Sequence, residues 1–244
     1  MTGLPENIYD GIQPGEVQQF FTSGASGVFE ALYRQVNNQA LAPYLKPCLE
    51  TDGRILDAGC GWGDLAENLN MAHNCCIDLA FEQLRQGRRR GVIGPCAQSD
   101  VTQLPFASET FDAVLCVNVL HYTGFPGFQE IYRVTKPNGR MLLAFLERSD
   151  YTRRSIELAM AWGMFPPIMR HVPLFDIADF QKLSVTIEDS VTVVCFPPWF
   201  TVSRTASRKG LVVYVLRKPP PVSLASFAAF VSIPIPMSPV RWHL

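Results

Sequence analysis

The chain has 244 residues, which is enough for one α/β domain with a large buried core but too few for two domains of ordinary size. Its hydrophobic fraction of 48% and charged fraction of 18% are those of a globular protein and exclude a chain that is disordered throughout. Lys and Arg total 21 against 22 Asp and Glu, so the net charge of -1 provides no broad cationic surface and argues against a nucleic-acid partner.

The cysteines indicate an intracellular protein without a metal site. None of the 7 cysteines belongs to a CxxC pair, and three lie in apolar runs, where a free thiol packs as a small hydrophobic group. We therefore expect reduced thiols and a cytoplasmic location. Residues 1–7 lack the basic start and apolar stretch of a secretory signal, and no segment supplies the ~20 apolar residues of a membrane span. The expected partner is a small-molecule substrate; the residues do not predict an oligomeric state.

The first 45 residues predict an arm followed by a lid helix. Residues 1–24 are rich in Gly, Pro and Gln and have no regular period. Within residues 26–43, apolar side chains recur with the spacing of one helix face. We expect the arm to close over the ligand, with Tyr9, Phe20 and Tyr33 as its aromatic contacts.

Short apolar runs alternate with helical patterns after residue 53, which predicts parallel βαβ units in a doubly wound sheet. The predicted strands are 54–57, 75–78, a third ending at Asp100, 114–119 and 140–145. The predicted helices are 64–69, 81–87 and 128–134, the second stopped by Gly87. A turn is predicted at 136–139, where Asn138 tolerates left-handed backbone.

The alternation of predicted strands and helices ends after the fifth strand. Residues 147–182 carry helical stretches rich in Met and aromatic residues, and we interpret them as a substrate-covering insertion within a domain at 46–218. Residues 191–196 and 211–216 predict an antiparallel pair of strands, joined by a loop containing Pro-Pro-Trp. Residues 219–244 form a Pro-rich apolar tail, which we expect to be disordered or to pack on the domain or a partner.

Three glycines at alternate positions follow the first predicted strand: Gly59, Gly61 and Gly63. Such a turn brings backbone N–H groups against a ligand at a helix N-terminus. A dinucleotide-binding loop would carry a further glycine where Asp64 stands. The negative charge of Asp57 would also be unfavourable beside a pyrophosphate. A carboxylate at this point suits a ligand with an ammonium group, which favours S-adenosylmethionine over a dinucleotide.

Two further acids stand at predicted strand ends. Asp78 ends the second strand, where a carboxylate can accept hydrogen bonds from both hydroxyls of a ribose. Asp100 ends the third, where it can accept a hydrogen bond from an adenine amino group beside the apolar Val101. We interpret Cys60 as a packing residue and not as a nucleophile.

Residues 54–146 resemble the core of class I S-adenosylmethionine-dependent methyltransferases that act on small molecules, including the type of ubiquinone and menaquinone biosynthesis. The matching segments are 55–63, 76–79, 99–101 together with 104–106, 111–114 and 133–140. The resemblance implies an α/β, Rossmann-like, doubly wound sheet of seven mostly parallel strands, the last antiparallel, with helical lid insertions. It places the cofactor across the carboxyl ends of the strands, with Asn118 and Val119 near its sulfonium. The predicted cofactor-binding residues are Asp57, Ala58, Gly59, Cys60, Gly61, Gly63, Asp78, Leu79, Asp100, Val101, Asn118 and Val119.

The sulfonium of this cofactor is already an activated leaving group, so the enzyme has to hold a nucleophile in line and exclude water. His121 follows the fourth strand and is the candidate base if one is needed; the alternative is that it shapes the pocket. The Met-rich insertion predicts a partly hydrophobic acceptor that reacts through oxygen, nitrogen or carbon. The predicted substrate contacts are His121, Tyr122, Tyr9, Trp162 and Phe165.

Three other functions remain open from the sequence. The first is a methyltransferase acting on protein or RNA, which the neutral charge disfavours. The second is an α/β dehydrogenase, disfavoured by the glycine spacing and Asp57. The third is a protein with the same fold that binds S-adenosylmethionine but acts as a pathway partner or catalyses a reaction without methyl transfer.

Overall fold

The fold was derived from a computed structural model, which describes residues 40–49, 53–71, 74–161, 169–170, 172, 174–180, 183–196, 199–203 and 211–220. The strands are β1 (Ile55–Ala58), β2 (Cys75–Asp78), β3 (Cys96–Gln98), β4 (Phe111–Val117), β5 (Thr135–Leu146), β6 (Thr186–Phe196), β7 (Trp199–Ser203) and β8 (Leu211–Arg217). The helices are α1 (Ala42–Leu45), α2 (Asp64–Asn68), α3 (Phe81–Arg90), α4 (Leu120–Val134), α5 (Asp150–Ala161) and α6 (Ile177–Phe180).

The strands form one sheet in the order β3-β2-β1-β4-β5-β8-β6-β7. Strands β1 to β5 pair in parallel, and β8 lies antiparallel between β5 and β6. The fold class is therefore confirmed: a doubly wound α/β sheet whose last strand is antiparallel. The described part contains one strand more than the seven expected, because β7 pairs with β6 at the edge, within a segment that we predicted as a loop.

Both faces of the sheet are covered, as the unbroken apolar pattern of the central strands requires. Along β4, Leu115 and Val117 belong to one buried cluster, whereas Val114 and Cys116 belong to another. The first cluster includes side chains of α1, α2 and α3, and the second includes side chains of α4 and α6. This layering leaves the carboxyl ends of the parallel strands as the place where a ligand can approach the sheet.

Helix α3 continues past the glycine that we expected to stop it. Gly91 ends the helix in a left-handed conformation, and the basic side chains of the last turn favour that end. Gly87 serves packing instead, because a Cβ built there would lie 2.8 Å from the carbonyl oxygen of Trp62. The absence of a side chain at Gly87 thus brings α3 close to the glycine turn after β1.

Helix α4 begins eight residues before the predicted Phe128. Gly124 interrupts it with φ 57° and ψ -146°, and Pro126 stands just beyond. This kink separates a first turn, which carries His121 and Tyr122, from the main helix. Glycine and proline are typical of helix ends, so the sequence did not predict a helical turn before them.

The predicted turn at 136–139 lies within β5, where the regular pairing of β5 with β4 is interrupted. Thr135 is opposite Phe111, but the next pair joins Ala113 to Arg140, so four residues bulge out. Asn138 adopts the expected left-handed conformation, with φ 62°.

The N-terminal arm up to residue 39 and the tail from 221 lie outside the described residues, so the domain division remains a prediction. Within the part of the chain that the structure covers, no helix is long and apolar enough to cross a membrane.

Candidate functional site

The glycine turn between β1 and α2 is built by backbone hydrogen bonds to the neighbouring strand. The N–H groups of Gly59 and Cys60 both donate to the carbonyl oxygen of Ile77, at 2.8 and 3.0 Å. Gly63 closes the turn by donating to the carbonyl oxygen of Cys60 at 3.0 Å, and it caps α2 with φ 81°. The turn is therefore fixed against β2 before any ligand arrives.

Two glycines of the turn are required by both conformation and space. A Cβ at Gly59, where φ is 87°, would lie 2.2 Å from Cγ2 of Val119. A Cβ at Gly63 would lie 2.3 Å from Cγ2 of Ile93. The close approach of Gly59 and Val119 joins the turn to the residues after β4, so two predicted cofactor-binding segments meet here.

Asp57 lies in β1, just before the turn, and is 3% exposed. Burial, and then the negative charge of Asp78, raise the pKa of Asp57 to about 7. Among the described residues, no positive charge compensates this carboxylate. A cationic group of a ligand would supply one, because it favours the ionised form of the acid.

Asp78 ends β2 and is tied to the glycine turn. Its Oδ2 accepts a hydrogen bond from the N–H of Gly61 at 2.8 Å, and its Oδ1 accepts one from the N–H of Ala80 at 2.8 Å. Burial raises the pKa of Asp78, and these backbone hydrogen bonds lower it in part. Each carboxylate oxygen has a second acceptor position, so the side chain can still receive two ligand hydroxyls.

Cys60 packs inside the turn. It is 8% exposed, and a hydrogen bond with the thiol of Cys76, together with burial, raises its pKa well above the ordinary value. An uncharged thiol of this kind is a poor nucleophile.

Asp100 follows β3 and starts a tight turn. Its Oδ1 accepts a hydrogen bond from the N–H of Thr102 at 2.8 Å, and its carbonyl oxygen accepts one from the N–H of Gln103 at 3.0 Å. Val101 beside it is 4% exposed. Asp57, Asp78 and Asp100 therefore lie at or just beyond the carboxyl ends of three neighbouring strands, at the same edge of the sheet.

Asn118 and Val119 connect β4 to α4. Asn118 has φ 60°, and its N–H donates to the carbonyl oxygen of Ala144 at 2.8 Å. The left-handed backbone at Asn118 turns the chain sharply at the carboxyl end of β4. This turn directs the first turn of α4, with His121, across the end of the sheet.

His121 is buried, with 3% of its surface exposed, and Nδ1 has no hydrogen-bond partner among the described residues. Burial lowers the pKa of His121 to about 3, so the imidazole is neutral at physiological pH. This environment does not suit the general base that we expected from an ordinary histidine. The catalytic role of His121 therefore remains a prediction, and a neutral hydrogen-bonding role fits the structure better.

An apolar cluster lies beside the first turn of α4. It comprises buried and half-buried side chains from that turn, from β5, from α5 and from the segment after it: Tyr122, Leu146, Ile156, Met160, Met169, Val172 and Leu174. The hydroxyl of Tyr122 contacts the sulfur of Met169 at 3.4 Å. The sequence indicated Met160 and Met169 but missed Ile156, Val172 and Leu174, whose only signal was their place in the insertion.

Three predicted substrate contacts, Tyr9, Trp162 and Phe165, lie outside the described residues. Two arginines of the insertion bond to the chain itself. Arg148 pairs with Asp179 at 2.8 Å, and Arg153 donates to the carbonyl oxygen of Arg170 at 3.3 Å. Among the described residues, no group of three His, Cys, Asp or Glu side chains could hold a metal ion.

The chain is similar to known methyltransferases in sequence. A family model described as a methyltransferase domain matches residues 56–143. The chain is 30% identical over 168 residues to a malonyl-[acyl-carrier protein] O-methyltransferase of Erwinia billingiae, which covers 65% of this chain and 64% of that protein. It is 35% identical over 108 residues to a demethylmenaquinone methyltransferase of a Mycobacterium species, over 42% of this chain and 44% of that protein. The matched region spans less than two thirds of either relative.

A solved structure shows the same fold. It is an S-adenosylmethionine-dependent methyltransferase of Thermotoga maritima, described as a possible histamine N-methyltransferase. The TM-score is 0.64, with 19% identity over 82% of this chain and 99% of that one. At this identity the likeness concerns the fold alone.

Proposed function

Because residues 56–143 match a family model described as a methyltransferase domain, we propose that this protein transfers the methyl group of S-adenosylmethionine to a partly hydrophobic small molecule. The acceptor atom is an oxygen, nitrogen or carbon nucleophile. The observation that carries the proposal is Asp57, a buried carboxylate with no compensating cation among the described residues, beside a glycine turn that Asp78 holds in place.

The residues present fit the cofactor at three points. Asp57 would pair with its ammonium group, since a positive charge at this place offsets the cost of a buried carboxylate. Asp78 would accept hydrogen bonds from the ribose hydroxyls, and Asp100 one from the adenine amino group, with Val101 against the ring. When bound, the cofactor supplies an electrophilic methyl group on a sulfonium.

The chain itself orients the acceptor and excludes water. The apolar cluster beside Tyr122 suits the hydrophobic part of an acceptor, because burying apolar surface there is favourable. Nδ1 of His121 is buried and has no hydrogen-bond partner in the described part of the chain, so His121 holds the acceptor by a hydrogen bond as a neutral imidazole. Positioning of this kind lowers the barrier without a proton transfer to His121.

Two finer features belong to the same proposal. The described cysteines, which are Cys48, Cys60, Cys75, Cys76, Cys96 and Cys116, are free, and this supports a reducing, cytoplasmic location. The near-neutral charge supports a small-molecule substrate and no nucleic-acid partner.

Calorimetric titration tests the cofactor site. We expect binding of S-adenosylmethionine and S-adenosylhomocysteine and no binding of NAD. Asp78→Ala should weaken binding of S-adenosylhomocysteine about 100-fold, the size expected when hydrogen bonds to a charged group are lost, and more than His121→Ala does. Asp150→Asn, at an exposed carboxylate in the first turn of α5, is the matched control and should bind normally.

Formation of S-adenosylhomocysteine with a panel of apolar phenols, carboxylic acids and amines tests the reaction. A methylated product with one class of acceptor supports the proposal. Tight cofactor binding without turnover across the panel would instead support the pathway-partner or non-methylating alternative, and binding of NAD alone would contradict the cofactor assignment.

A further inference from the structure

The loop after β3 carries both residues assigned to the adenine, and its start is tied to β2 because the N–H of Ser99 donates to the carbonyl oxygen of Asp78 at 3.0 Å. Asp100 and Val101 begin a turn that closes through the hydrogen bond from Gln103 to Asp100. The hydroxyl of Ser99 adds a long contact of 3.3 Å to the carbonyl oxygen of Gln103. The bonds to Gln103 shape the turn internally, while the buried side chain of Val101 packs in the apolar cluster on this face of the sheet.

The second half of the loop is held by an ion pair on α4. Arg133 donates from Nη2 to the carbonyl oxygen of Leu104 at 3.0 Å and from Nη1 to that of Phe106 at 2.7 Å. Glu130 accepts the N–H of Leu104 at 2.8 Å. The two side chains also form a bidentate pair, with both Arg133–Glu130 hydrogen bonds at 2.7 Å.

Apolar contacts complete the anchor. Leu104 is 5% exposed, and the ring of Phe106 packs edge-on against Phe111 at 4.9 Å. Leu104 follows directly after the turn that Asp100 begins. A displacement of Leu104 therefore moves Asp100 and Val101, because only two residues separate Val101 from it.

We propose that Glu130 and Arg133 are positioning residues that set the preference of the cofactor site for adenine, by clamping the backbone of Leu104 and Phe106. The inference rests on the proposed function, since it takes the adenine to lie against Asp100 and Val101. Neither residue touches the ligand. Each acts by fixing the position of the carboxylate that receives the adenine amino group.

The planar guanidinium, with N–H donors on three nitrogens, explains why arginine stands at this position. Its five N–H donors reach two carbonyl oxygens and a carboxylate at once, which a single ammonium cannot do in the same geometry. The side chain of Arg133 is 34% exposed, so its ion pair contributes little to folding stability on its own. The pair acts instead on the position of the loop backbone, and a measurement of selectivity between two bases can detect a change in that position.

The test compares two ligands that differ at one group of the base. S-adenosylhomocysteine carries the 6-amino donor, whereas S-inosylhomocysteine carries a carbonyl oxygen that repels Asp100. We expect the ratio of their dissociation constants to fall about three- to tenfold in Arg133→Lys, the range expected when one hydrogen bond weakens. Glu130→Gln is a milder second variant and should lower the ratio in the same direction.

Arg85→Lys is the matched control. Arg85 forms a similar ion pair three residues after Glu82 on α3, but within the described part of the chain Glu82 bonds to side chains of its own helix and to no loop. The ratio should be unchanged in this control.

Equal weakening of both ligands in Arg133→Lys and Glu130→Gln, at a constant ratio, would overturn the inference and assign the pair a structural role alone. An unchanged ratio with unchanged affinity would overturn it as well. Failure of the wild-type protein to bind S-adenosylhomocysteine would overturn the proposed function together with the inference, so the two failures are distinguishable.

Discussion

Asp57 and Asp78 lie on the adjacent parallel strands β1 and β2, where burial, and then the charge of Asp78, raise the pKa of Asp57 to about 7. Burial also raises the pKa of Asp78, but the N–H groups of Ala80 and Gly61 offset part of this rise because they favour its ionised form. The two acids therefore differ in the interactions that surround them, although they are neighbours. This difference leads to two predictions, one on binding and one on stability.

Binding of S-adenosylmethionine should release a proton below pH 7. Asp57 is protonated in the free protein at low pH, and its pairing with the ammonium group requires the carboxylate. We expect affinity to fall as the pH is lowered from 7 to 5.5, a window below the ordinary pKa of an α-amino group. Calorimetry in two buffers of different ionisation enthalpy measures the proton release. The release should disappear in Asp57→Asn; its persistence there would assign the proton to another group.

Asp57→Asn should stabilise the fold at high pH. The folded protein holds this proton with a pKa of about 7 and the unfolded chain with the ordinary value of 3.8. The folded state thus binds more protons between these values, and the free energy of unfolding falls as pH rises through this window. We expect the variant to gain on the order of 3 kcal/mol at pH 8 and little at pH 4, measured by urea unfolding.

Asp112→Asn is the control of opposite sign. A hydrogen bond from Lys136 lowers the pKa of Asp112, so the charged form stabilises the fold above the ordinary pKa. This variant should lose stability at pH 8. A gain in both variants would show that the effect at Asp57 is not electrostatic.

The turnover number for methyl transfer should not report an ionisation of His121 between pH 6 and 8. Its pKa is lowered to about 3 by burial, so the imidazole stays neutral across this range. Assays at saturating S-adenosylmethionine separate this effect from the titration of Asp57. We expect His121→Gln to lower turnover while it keeps the shape of the pH profile. An acidic limb near pH 6.5 that vanishes in this variant would make His121 a general base after all.

Lys218→Met should destabilise the fold without affecting the cofactor site. Lys218 is 7% exposed, and its Nζ donates to the carbonyl oxygens of Thr135 at 2.7 Å and Tyr132 at 3.1 Å, at the end of α4. The substitution leaves both carbonyls without this donor, which costs about 1–3 kcal/mol in chemical unfolding. The dissociation constant of S-adenosylhomocysteine should stay unchanged. A loss of stability no larger than in Lys136→Met, at a surface ion pair, would contradict this account.

The sequence predicted the part of the molecule whose causes are local. The strand before Gly59 and the left-handed backbone at Asn138 follow from the residues themselves, since glycine and asparagine tolerate positive φ. Gly87 shows the limit of such reasoning. A glycine near a predicted helix end resembles a stop signal, but here it is needed because of the carbonyl oxygen of Trp62, which is 25 residues away along the chain.

The residues of the candidate site also fall into those that could be predicted from the sequence and those that could not. Asp57, Asp78 and Asp100 could be predicted because each stands at the end of a strand, and parallel strands end at one edge. The environment of His121 could not, because its burial depends on elements packed around the first turn of α4. Strand β7 was missed because Pro197 and Pro198, directly before Trp199, predicted a loop there.

The place of β8 between β5 and β6 also governs how this protein can fold during synthesis. Residues 211–217 must leave the ribosome before β5 and β6 obtain the neighbour that both of them pair with. Until then, the open edge of β5 can pair with other chains. Closure of the sheet therefore occurs late and depends on contacts between residues far apart in sequence, such as Leu143 and Tyr214, which is typical of slow folding.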